Sequence, residues 1–205
     1  MPRYFSAMEA AGTVASMASV ALGEGRVTRE HYWKLVRDGV IGPDDRVELL
    51  EGVIVAVAPQ NPPHAVVITA LTKWLVHAIG DTANVRVQLP LDLSALSTPE
   101  PDLAVVAGRP LDHVAAHPTT ALLVIEVADG SLIQDRLTKA PLYAAAGVLE
   151  YWIVNLRDHC VEVHRHPIPT KRRYADVRVV HPGDTLALAA FSLEPIDVAE
   201  ILPPA

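Results

Sequence analysis

The chain has 205 residues, of which 50% are hydrophobic and 20% charged, and it carries a formal net charge of −7. This composition excludes disorder over the whole chain and suits one core of ordinary size, since two full domains would both be small. The negative sign excludes the broad basic face that drives non-specific nucleic-acid binding, so any contact with DNA has to be local.

Cys160 is the sole cysteine, which rules out an intramolecular disulfide and suits a reducing, cytoplasmic compartment. No apolar run approaches the about 20 residues of a membrane span, so no membrane insertion is expected. Residues 1–25 are rich in Ala, Met, Ser and Gly, but Glu9 interrupts them and Arg3 is their only basic residue before Gly25. They read as a loose N-terminal extension rather than a secretory signal. Residues 26–205 read as a single domain.

In chain order, Thr28 is placed to cap a helix through Arg37, with Gly39 just past its end. The segment from Arg46 to Leu50 and that from Val53 to Ala58 read as a hairpin about Glu51-Gly52, weaker turn chemistry than Asn-Gly. Asn61-Pro-Pro-His64 reads as a loop. From His64 to Ile79, apolar residues at Val67, Leu71, Trp74, Leu75 and Ala78 fall at helical spacing before Gly80. Val85, Val87 and Leu89 alternate with Arg86 and Gln88, as in a half-buried strand. A loop over 94–101 leads to the strand that begins at Asp102.

The apolar run from Ala121 to Val127 reads as a central strand covered on both faces, with Glu126 near its end. Asp129-Gly130-Ser131 opens a helical stretch to Ala146 in which Pro141 is expected to produce a kink or a break. Residues 149–156 and 160–166 read as a second hairpin. Val177–Val180, a Pro182-Gly183 turn, Leu186–Leu188 and a terminal helix over 196–201 complete the chain. Strand–helix–strand alternation in the middle with hairpins at the margins predicts an α/β fold with a mixed central β-sheet flanked by helices.

Two acids stand out against this background. Asp102 stands at the mouth of one apolar strand and Glu126 lies inside the next, and a buried carboxylate is costly unless a charge or a metal meets it. Residues two apart share a strand face, so Ala128 occupies the slot where a lysine would complete a Glu-X-Lys signature. Lys139, on the following helix, is a candidate cation for the vacated position. Asp102, Glu126 and the carbonyl of Val127 make a hard oxygen set suited to Mg²⁺ or Mn²⁺, and such an ion can activate water against a phosphodiester. The bland reading is a silent network in which Lys139 or Arg136 neutralises Glu126. His64 reads as a capping or packing group or as a base, Asp135 as an i,i+4 partner of Lys139. Tyr143 and Tyr151 read as core or rim aromatics, with the Tyr143 hydroxyl a possible phosphate contact. The stretch from His164 to Tyr174 is either a phosphate-backbone contact or a charged hairpin edge.

The segments Arg46–Gly52, His64, Pro101–Val106, Val124–Val127, Asp135–Lys139, Leu142–Ala144 and Ala146–Val154 resemble, in this order, the Uma-two family of endonuclease-like proteins. That family is placed in the PD-(D/E)XK restriction-endonuclease-like superfamily. The resemblance implies a restriction-endonuclease-like fold and DNA as substrate. It also implies a metal site from Asp102 and Glu126, a lysine migrated to Lys139, and Glu48 as a further acid near the metal or its water. At 129, where the family commonly has Ser, this chain has Asp, which either binds metal or caps the helix. Cutting two DNA strands with one site per chain favours a homodimer. The rival expectation is a non-catalytic binding or assembly module that kept the fold.

Overall fold

The computed structural model describes residues 25–204, so the N-terminal extension expected over 1–25 lies, except for Gly25, outside the described residues. The described chain falls into two units, one of residues up to 58 with 94–98 and one of residues 59–93 with 99 onward. Among the described residues no helix is long and apolar enough to cross a membrane.

In the first unit, the Thr28 hydroxyl accepts from the His31 N–H at 3.2 Å and starts helix α1 (Arg29–Arg37). Strands β1 (Val47–Leu50) and β2 (Val53–Ala56) pair antiparallel with Leu50 opposite Val53. The two residues between them, Glu51 and Gly52, have φ of 51° and 80°, the left-handed pair that a twisted two-residue hairpin requires. Val27, Tyr32, Ile41, Val47 and Leu49 form the core of this unit.

The second unit is built on a six-stranded sheet in the order β3-β4-β5-β6-β7-β8. Its strands are β3 (Asn84–Val87), β4 (Leu103–Val106), β5 (Leu123–Ala128), β6 (Glu150–Asn155), β7 (Cys160–Ile168) and β8 (Arg173–Val180). All neighbours are antiparallel except β5 and β6, which are parallel, so the sheet is mixed as the alternation of elements predicts. Helix α2 (Pro62–Ile79) lays Val67, Leu71, Leu75 and Ile79 against Leu103, Val105, Ile125, Val127 and Trp152. The opposite face carries Ala104, Val106, Val124, Ala128, Tyr151 and Ile153 with Ala140, Tyr143 and Ala144. β5 is buried along its whole length, which is why its sequence runs apolar on both faces.

Several boundaries differ from the sequence reading for identifiable reasons. α2 begins at Pro62 rather than His64, because Asn61 caps it and a proline in the first turn gives up an N–H that has no helical partner there. β3 stops at Val87 because Gln88 adopts φ 51°. Pro141 does not end the helical stretch after β5, but the α-helix is interrupted just before it. Short segments α3 (Leu132–Gln134) and α4 (Ala140–Ala145) are joined by a π-helical turn over Asp135–Lys139, closed by the Ala140 N–H on the Asp135 carbonyl. The wider turn relieves the clash of the proline ring with the preceding turn. The helix expected over 196–201 is instead strand β10 (Ile196–Asp197), paired with β9 (Thr185–Leu186), and a 3₁₀ turn over Val198–Glu200. Asp197 takes the Ala199 N–H at 2.8 Å and stops a longer helix from forming upstream.

The hairpin turn is the most sharply constrained backbone in the first unit. A Cβ on Gly52 would overlap the Arg26 side chain and sit 3.2 Å from the Arg26 Cα, and Gly52 is already left-handed. Gly52→Ala is expected to cost about 1–3 kcal/mol and to lower the melting temperature by several degrees in a calorimetric scan.

Candidate active site

Pairing of β4 with β5 sets Leu103 opposite Ile125 and Val105 opposite Leu123, so Asp102 directly precedes the paired stretch of β4 and Glu126 directly follows that of β5. Side chains alternate along β5: Ile125 and Val127 enter the core under α2, while Val124 and Ala128 enter the opposite one. Glu126 therefore points to the α4 side of the sheet. Only 5% of it is exposed.

Two donors meet its Oε1 atom: the Lys139 ammonium at 3.0 Å and the Tyr143 hydroxyl at 2.6 Å. Lys139 closes the π-helical turn, and Tyr143, four residues on, shares its helix face. Ala128, on the strand face of Glu126, is fully buried, and the cation that this slot lacks comes from the helix. Arg136, the other cation open to Glu126 from sequence, instead grips Glu162 through its Nε at 3.1 and 3.0 Å and a terminal nitrogen at 2.6 Å. Tyr151 donates to the Asp135 carbonyl at 3.3 Å, and burial, helped by Asp135 and Glu126, holds its phenol well above the usual range. The Glu126 pocket is thus a water-poor place in which charge interactions are strong.

Asp102 is fixed at the strand mouth. Its Oδ2 accepts the Val127 N–H at 2.8 Å, in place of a backbone partner on β4. The N–H and carbonyl of one strand residue face the same edge, so the Val127 carbonyl lies on the edge where Asp102 sits. His64 Nε2 lies 3.1 Å from the same Oδ2, and Gln88 Nε2 lies 3.4 Å from Oδ1. The aspartate side chain remains 13% exposed.

Within the second unit the structure joins Lys139 to Glu126 and ties Asp102 to the N–H of Val127, the residue after Glu126. Glu48 belongs to β1 of the first unit, where it is 3% exposed. The Tyr143 hydroxyl donates to Glu126, and its side chain is fully buried. The Asp135 carboxylate accepts from the Ser131 hydroxyl at 2.6 Å, and Asp129 receives the Asn61 amide at 2.7 Å. β8 is the outer strand of its sheet, and Tyr174 within it is buried with its hydroxyl on the Val148 carbonyl. Sequence reasoning did not connect Tyr143 to Glu126, although the i,i+4 spacing of Lys139 and Tyr143 carries that information. It also gave Gln88 no role beyond its strand.

Among the described residues, no three or more His, Cys, Asp or Glu side chains gather in a group that would hold a metal ion.

Comparison with known proteins adds the following. The family model Uma2, described as "Putative restriction endonuclease", matches residues 29–199. No curated protein matches the chain. Among solved structures, a putative nuclease belonging to DUF820 from Anabaena variabilis ATCC 29413 superposes with a TM-score of 0.66 at 14% identity. The match covers 85% of this chain and 97% of that one, and it shows a shared fold.

Removing one partner of a buried ion pair strands the other. Lys139→Met is expected to destabilise the protein by about 3–5 kcal/mol, and adding Glu126→Gln to it should recover much of the loss. Urea unfolding of the single and double variants measures both.

Proposed function

The chain belongs to the Uma2 family, and from that membership and the arrangement around Glu126 we propose that it is a divalent-metal-dependent endonuclease that hydrolyses phosphodiester bonds in DNA. The observation that carries the reading is the Lys139–Glu126 pair at 3.0 Å on a strand to which Asp102 is tied through the Val127 N–H. A lysine that reaches the strand acid from the helix, while Ala128 fills the strand slot, is an arrangement with a chemical use at a phosphoryl group.

Asp102, Glu126 and the Val127 carbonyl are the donors that would hold Mg²⁺ or Mn²⁺, and their hard oxygen chemistry fits either ion. When bound, such an ion supplies Lewis acidity toward the phosphoryl oxygens and a more acidic water. The chain's own residues do the rest. The Val127 N–H holds Asp102 in one orientation before any substrate arrives, so little reorganisation remains at the moment of reaction. Lys139 brings a positive charge to the place where negative charge builds on the phosphate, and the apolar walls of Val124 and Ala128 keep that interaction strong. The Tyr143 hydroxyl, which donates to Glu126 at 2.6 Å, holds that carboxylate steady.

Residues 26–205 are read as one functional domain, since the family model runs through both units, and two copies acting together would cut both strands of a duplex. A second reading, a binding or assembly module that kept the fold, is favoured by one observation: Glu126 already has two donors within 3.0 Å.

Plasmid nicking separates the two. With Mg²⁺ or Mn²⁺ the purified protein is expected to convert supercoiled plasmid to open circles, and Asp102→Ala and Glu126→Gln should each lower the rate by at least about 10²-fold. Nicking that survives both changes would remove these residues from the mechanism.

A further inference from the structure

Asp102 is oriented by more than the sheet. Asn61, which caps α2, accepts the His64 N–H on its Oδ1 at 3.0 Å and donates through its Nδ2 to Asp129 at 2.7 Å. Asp129 directly follows β5, so a single asparagine braces the start of the helix against the end of the strand that carries Glu126 and Val127. His64 lies in the first turn of that braced helix, and its Nε2 meets Asp102 Oδ2 at 3.1 Å. The same oxygen takes the Val127 N–H.

A ring nitrogen this close to a carboxylate oxygen carries its hydrogen, because two lone pairs would repel at that distance. In the neutral ring the proton therefore sits on Nε2. Nδ1 is then a bare acceptor, and it is buried with no hydrogen-bond partner among the described residues. A histidine placed only to fill space would turn to satisfy that atom, since an unpaired buried acceptor is destabilising. The orphaned Nδ1 accompanies a ring that is aimed at Asp102.

On the other carboxylate oxygen, Gln88 approaches from a residue that leaves β3 in the left-handed region, where a non-glycine residue is strained. Its N–H also bonds to the Asp102 carbonyl at 3.1 Å, so the backbone of Asp102 is held by the residue that reaches for its side chain. Groups from α2, from the end of β3 and from β5 thus converge on one half-closed aspartate.

We propose that His64, set in place by the Asn61–Asp129 brace, is a positioning residue for Asp102, fixing which carboxylate lone pairs are offered to a divalent cation. The proposal rests on the reading of Asp102 as a metal-binding acid. It assigns His64 no part in the coordination itself: the ring acts through the carboxylate that it orients.

Titration of the full-length chain with Mn²⁺ in a calorimeter tests this, with folding of each variant checked by its melting temperature. His64→Leu, which removes the donor, should weaken Mn²⁺ binding by about 10- to 100-fold. His64→Gln, whose amide reaches as far as Nε2, should bind within a few-fold of the unaltered chain. If His64→Leu does not fold, His64→Asn takes its place, since its amide falls short of Oδ2 and should weaken binding to a similar degree. Unaltered affinity in the Leu or Asn variant would overturn the positioning role while leaving the cation site standing. Loss in His64→Gln as large as in His64→Leu would overturn it also, because that pattern belongs to a histidine that ligates the ion. Absence of Mn²⁺ binding by the unaltered chain would overturn the metal-binding reading of Asp102, and this proposal with it.

Discussion

One carboxylate inside the sheet governs the architecture of the second unit. Glu126 lies on a strand covered on both faces, and a charge in that position is tolerated only where donors surround it. The ammonium of Lys139 and the hydroxyl of Tyr143 converge on it, both from the helical stretch that returns across the sheet. The π-helical turn, the proline after it and the i,i+4 spacing of lysine and tyrosine all serve that meeting. A straight α-helix with Pro141 inside it would set the ring against the preceding carbonyl, and the widened turn removes the conflict without ending the helix.

Asp102 depends on the same strand in a different way. β4 ends where its pairing with β5 ends, and the aspartate side chain takes over the Val127 N–H that a longer β4 would have occupied. The acid is therefore part of the hydrogen-bond ladder and also the residue that closes it. That dual position explains how one acid can remain partly open to solvent while its neighbour on the next strand is sealed. One acid is thus sealed with its own cation, and the other, partly open to solvent, is held in place by the strand.

Much of this was legible in the residues because burial leaves a plain signal. The unbroken apolar run of β5 with one acid in it implied a central strand and a charged partner, and Lys139 is that partner. The mixed sheet followed from alternating elements. What stayed hidden depends on tertiary geometry. Pro141 reads as a helix breaker because local rules do not foresee a π-helical turn, and residues 196–201 read as a helix because a short apolar pattern does not distinguish periods of 2 and 3.6. The roles of Gln88, Asn61 and Asp129 rest on contacts between residues far apart in the chain, such as Asn61 with Asp129, for which no local pattern exists. Glu48 shows the limit from the other side: the resemblance names it as an acid near the metal, and no local pattern foretells that the fold buries it in β1 of the first unit.

The central claim is that Asp102 and Glu126 together receive a divalent cation. Crystals soaked in Mn²⁺ and measured at its absorption edge test it most directly. The account predicts one anomalous peak in contact with the Asp102 and Glu126 carboxylates and with the Val127 carbonyl. A crystal saturated with Mn²⁺ that shows no peak there, with Lys139 still paired to Glu126, would contradict it.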